Sequence, residues 1–135
     1  MACSEPTSVA TIQLSVLSDK PVYYLTGDTA AQPILINRSS VPVYLPLTDY
    51  VAVQWLEDGR WSEPYGWFSA GYLNMPNLSF AIRAGDTLCV FPMEFRFVNH
   101  APGVYRFIFV VSRDSSSSES LPESMRVSPA FEIRQ

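Results

Sequence analysis

Short runs of alternating apolar and polar residues, turn residues recurring between them, and the lack of any long stretch with helical spacing predict an all-β fold, a two-sheet Greek-key β-sandwich of seven to nine strands. The 135 residues, 47% hydrophobic and 16% charged, suffice for one domain with a true core. A single open sheet of this composition would leave an apolar face in water, so two packed layers are expected. Residues 1–8 form an N-terminal tail and residues 9–135 the sandwich.

The first strand, Val9 to Leu17, alternates Ile12, Leu14 and Val16 against Thr11, Gln13 and Ser15, and Asp19-Lys20-Pro21 ends it. Pro21 to Tyr24 leads into the turn Thr26-Gly27-Asp28, and Pro33 to Asn37 is a short strand closing on the turn cluster Asn37-Arg38-Ser39-Ser40. Val41 to Leu47 carries Pro42 and Pro46, which suit a sheet edge. Tyr50 to Glu57 is a stronger strand with Trp55 expected as the central core aromatic. Asp58-Gly59 then marks a tight hairpin whose turn needs positive φ. Ser62 to Asn77 reads as an irregular aromatic-rich loop, followed by a strand from Leu78 to Arg83 and a turn at Ala84-Gly85-Asp86. Thr87 to Val98, Val104 to Arg113 and Met125 to Ile133 complete the strands. The serine-rich stretch Asp114 to Ser124 is expected to be a mobile hairpin loop. Tyr105, entering its strand after Pro102-Gly103, matches a tyrosine corner, with its ring in the core and its hydroxyl bonded to backbone across the preceding turn.

Formal charge is −4, and the nine basic residues, of which Lys20 is the only lysine, form no cluster, which argues against nucleic acid as a partner. Two cysteines are too few for a disulfide framework. Ala2-Cys3 is similar to the junction at which a bacterial lipoprotein leader is cleaved, which makes Cys3 a candidate lipidation site and would tie the domain to a membrane only through that anchor. Cys89 lies in a strand-like run and reads as packing.

Nucleophilic triads and most zinc sites use histidine, and the chain has one, His100, in a turn. Glu57-Asp58 is explained by the hairpin. No phosphate loop, calcium loop or CxxC pair occurs. The expectation is a protein with no catalytic residues, no metal site and no cofactor. The residues left to carry function are Trp61, Tyr65, Trp67, Phe68 and Tyr72. They either stack on a sugar or anchor a protein partner, or fold back to plug one open end of the sandwich.

From about Leu14 to Val111 the chain resembles a bacterial immunoglobulin-like domain of secreted proteins and lipoproteins. The resemblance rests on five motifs in order: Tyr24-Leu25-Thr26-Gly27-Asp28, Ile36-Asn37-Arg38-Ser39-Ser40-Val41-Pro42-Val43, Trp55-Leu56-Glu57-Asp58-Gly59-Arg60-Trp61, Ile82-Arg83-Ala84-Gly85-Asp86-Thr87-Leu88 and Pro102-Gly103-Val104-Tyr105-Arg106-Phe107. It implies a non-catalytic extracytoplasmic interaction or accessory module of the cell envelope, lipid-anchored or secreted, with a cytosolic protein expected instead if no signal peptide precedes Met1; a monomer is expected. A more distant resemblance, to the bacterial intracellular proteinase inhibitor domain with a similar Pro-Gly-x-Tyr ending, implies instead a loop presented to a protease.

Overall fold

The structure is a computed structural model that describes residues 11–68, 79–97, 102–116 and 120–135. Among them lie thirteen strand segments: β1 Leu14–Ser18, β2 Val22–Tyr24, β3 Ala30–Ala31, β4 Pro33–Asn37, β5 Val43–Pro46, β6 Val51–Glu57, β7 Arg60–Trp61, β8 Tyr65–Phe68, β9 Ser79–Ile82, β10 Thr87–Cys89, β11 Met93–Glu94, β12 Gly103–Phe109 and β13 Phe131–Arg134. Two 3-10 turns, Phe95–Phe97 and Glu123–Met125, are the helical elements among the described residues. The molecule is all-β and sandwich-like, as its alternating pattern predicts.

One layer has the order β2-β13-β12-β6-β7, with β8 also paired to β6; all its pairings are antiparallel except β2 with β13, which run parallel. The other is built on a long antiparallel ribbon. β5 pairs β9, β4 pairs β10 and β3 pairs β11, so Ala30–Pro46 runs against Ser79–Glu94 with two interruptions, and β1 lines the free side of β4. With each interrupted triple counted as one strand, nine strands remain among the described residues. At one end β5 also meets β12's continuation, because the Tyr44 and Ser112 backbones exchange hydrogen bonds of 3.0 and 2.8 Å.

The core lies between the layers. Val51, Val53, Tyr105, Phe107, Phe109, Phe131 and Ile133 face Val16, Leu35, Val43 and Leu45, all buried. Phe131 gathers Tyr23, Tyr105 and Phe107 around it, with ring centroids 5.6, 6.1 and 4.9 Å away. Tyr105, Phe107, Phe109 and Val111 do share the inner face. Trp55, expected at its centre, is only partly buried and packs at the margin. It pairs with Tyr105 near the open end of β6, where the layers cover less of it.

A buried amide stitches the ribbon's first interruption. Asn37 Nδ2 donates to the carbonyls of Val41 and Ile82 at 2.9 and 3.0 Å, and its Oδ1 accepts from the Ser39 backbone at 3.0 Å. The Asn37 backbone also bonds Asp86 and Gly85. One side chain thus ties the 38–42 turn to the end of β9 that leads into the β9–β10 turn.

Further sequence expectations need correction, the first being Ser62 to Asn77, which is not irregular throughout because Tyr65–Phe68 pairs with β6 as the strand β8. Thr87 to Val98 is no single strand, because Pro92 cannot donate to the ladder and the run breaks into β10, β11 and a 3-10 turn. Cys89 is exposed rather than packed, since its pairing with Ile34 sets it on the outer face. Asp114 to Ser124, expected as a mobile hairpin loop, packs at Leu121, which is buried at 2% exposure and whose N–H bonds the Val111 carbonyl at 2.9 Å. Tyr105 keeps its ring in the core, but its hydroxyl is buried without a hydrogen-bond partner among the described residues, which removes the bond that defines a tyrosine corner.

Candidate functional site

On the outer face of the larger layer, β6 contributes Ala52 and Gln54 and β12 contributes Arg106 and Ile108, directly opposite one another. Gln54 Oε1 accepts from Arg106 Nε at 2.8 Å, and Gln54 Nε2 donates to the Ser62 carbonyl at 2.9 Å. Arg106 Nη2 reaches Glu123 Oε1 at 3.0 Å. The Arg106 guanidinium also lies over the Trp61 ring, 4.5 Å from its centroid, a cation–π contact.

Two turns of local geometry place the tryptophans. The β6–β7 hairpin pairs Glu57 with Arg60 across Asp58-Gly59, both with positive φ (53° and 77°), as a type I′ turn requires. That turn brings Trp61 back beside Gln54. In β8, Tyr65 pairs with Val53 and Phe68 with Val51, so Gly66 and Trp67 together oppose Ala52. This is a β-bulge with Gly66 at φ 66°, a backbone state that glycine adopts without strain. The extra residue lets Tyr65 and Phe68 both turn inward against the core while Trp67 turns out, 41% exposed.

The result is a cleft of about 430 Å³ lined by Gln54, Trp61, Glu63, Trp67, Glu123 and Arg126, with Ile108 beneath. Arg126 is fixed by Nε to the Leu121 carbonyl at 2.8 Å and Nη1 to the Phe109 carbonyl at 2.7 Å. Burial pulls the pKa values of Arg106 and Arg126 down, and Glu123 opposes that shift in both. A second, more apolar cleft of about 300 Å³ lies between β8 and β11, lined by Val53, Gly66, Trp67, Phe68 and Met93. Trp67 forms a wall of both.

The aromatic cluster predicted from sequence therefore divides. Trp61 and Trp67 lie on the cleft, whereas Tyr65 and Phe68 are partly buried and pack against the core. Tyr72, Cys3 and His100 lie outside the described residues. Sequence reading missed Gln54 and Arg106, although both occupy outward positions of clearly alternating strands. It also missed Glu123 and Arg126, hidden in what looked like loose loop. Among the described residues no group of three or more His, Cys, Asp or Glu side chains is placed to hold a metal, and no helix is long and apolar enough to cross a membrane.

No family model matches the chain, and no curated protein matches it. Among solved structures it is similar to the alkylpurine DNA glycosylase AlkC of Pseudomonas fluorescens bound to DNA containing an abasic site analogue, at 13% identity and a TM-score of 0.46, over 92% of this chain and 30% of that one. It is also similar to a β-glucosidase from Listeria innocua in complex with gluconolactone (19% identity, TM-score 0.41) and with glucose (18%, 0.40), over 93% of this chain and 16% of that one in each case. The chain spans less than a third of the length of either protein.

Proposed function

We propose that this is a non-catalytic binding module whose ligand sits on the outer face between Trp61 and Trp67. The observation that carries this reading is the bulge at Gly66: it turns Tyr65 and Phe68 into the core and sets Trp67 in solvent, against the hydrophobic gradient, beside a polar cleft. A large indole kept exposed next to ordered hydrogen-bonding groups suits recognition of a partner.

The test is ligand screening by NMR on 15N-labelled protein, with the indole signals assigned by single tryptophan substitutions. Ligands of this module shift the Trp61 and Trp67 signals while Trp55 stays put. Ligand-induced shifts confined to other surfaces would overturn the reading. So would tight inhibition of a protease through a presented loop, which belongs to the second resemblance. Placement in the cell envelope belongs to the same proposal and rests on Ala2-Cys3 and the resemblance to secreted domains. Palmitate labelling lost in Cys3→Ser is the result its lipid-anchored form requires.

A further inference from the structure

We infer that the ligand of this face is a neutral oligosaccharide, an inference that rests on the binding-module reading above. Three features of the cleft carry it. The first is the exposed Trp67 indole, a flat apolar plate of the kind on which the C–H face of a pyranose ring packs, at the edge of a cleft within the size range of small-molecule sites.

The second is the hydrogen-bonding inventory. Gln54 is 4% exposed, and its second Nε2 hydrogen has no protein acceptor among the described residues, its other bonds going to Ser62 and Arg106. Arg126 spends Nε and Nη1 on carbonyls and keeps Nη2. Glu123 gives one carboxylate oxygen to Arg106 and keeps the other. Donors and acceptors are thus interleaved around the indole. A sugar hydroxyl, which both donates and accepts, meets either kind.

The third is charge. The cleft's acids, Glu63 and Glu123, are matched by Arg126 and by Arg106 behind Gln54, so it presents no net sign, and the chain's overall −4 disfavours an anion. An extended peptide gains most from backbone bonds along a sheet edge, whereas this cleft lies across the face of β6 and β12, whose backbones already pair with each other.

The experiment is titration of the protein with neutral tetra- to hexasaccharides of β-linked glucose, xylose, mannose and N-acetylglucosamine, alongside acidic oligogalacturonates and a library of extended peptides. Affinity comes from calorimetry and location from the indole signals. The expected result is binding of at least one neutral series with the Trp67 signal shifted. Its Kd should weaken at least tenfold in Trp67→Ala, recover in part in Trp67→Tyr, and change less than twofold between low salt and about 0.5 M NaCl. Neutral-sugar binding that Trp67→Ala leaves intact would overturn the inference. Binding of only acidic sugars or only peptides, with Trp61 and Trp67 shifted, overturns the carbohydrate assignment and leaves the binding-module reading standing. No shift of either indole with any probe overturns both.

Discussion

Two buried polar groups show opposite ways of meeting the same constraint. Asn37 ties two turns with one amide, so Asn37→Ala removes its bonds to the Val41 and Ile82 carbonyls and from the Ser39 N–H, and is expected to cost at least about 2 kcal/mol in denaturant unfolding. The Tyr105 hydroxyl has no such partner, so Tyr105→Phe removes a desolvated group and is expected to be neutral or stabilising by up to about 1 kcal/mol, whereas Tyr105→Ala should cost about 3–5 kcal/mol. Burial, with Tyr65 nearby, raises the Tyr105 pKa; burial, with the hydrogen bond to Asp19, raises that of Tyr23. The unfolded chain releases these protons near pH 10 and the folded one retains them, so unfolding free energy is at its full value below that pH and falls as pH rises above it. Urea titrations across that range should give a shallower fall for Tyr105→Phe. The sequence placed the Tyr105 ring correctly, because alternation fixes which face a side chain takes. Whether a hydroxyl finds an acceptor depends on a tertiary neighbour that alternation does not encode.

At the level of elements, the legible parts were those where backbone chemistry restricts the residue. Asp58-Gly59 announced a positive-φ turn and formed one, and the turns at Asn37 to Ser40 and Ala84 to Asp86 fall where their composition puts them. The β8 bulge was hidden because Tyr65 and Phe68, three residues apart, share a face that period-two counting assigns to opposite sides. Gly66→Ala tests the bulge. A Cβ there would meet Val53 Cγ1 at 3.9 Å, an ordinary contact, so the penalty comes from the backbone at φ 66° and is expected to be about 1 kcal/mol. Acrylamide quenching of Trp67 should change with it. In the 114–124 segment the serines masked Leu121, whose truncation to Ala is expected to cost about 2–4 kcal/mol in thermal or urea unfolding. A cost near zero would mean that this segment packs no better than a loose loop.

For the whole molecule, composition and alternation were enough to specify an all-β, two-layer body, while the candidate site was half legible: its tryptophans stood out, and its polar members did not. Gln54 and Arg106 are ordinary outward residues until pairing sets them opposite each other and the 120–130 segment brings Glu123 across. That assembly is non-local, as is most of the fold, so folding in milliseconds to seconds is expected from stopped-flow refolding. The parallel pairing of β2 with β13 has a mechanical consequence. Because the two strands run in the same direction, tension applied ahead of β2 and behind β13 pulls them along their length, loading the bonds from Leu25 to Arg134 and from Glu132 to Pro21 together instead of one after another. With the Phe131 and Ile133 side chains embedded in the core behind this pair, the domain should yield to stretching at a single high force and then extend abruptly, behaving as a brittle link rather than a compliant one.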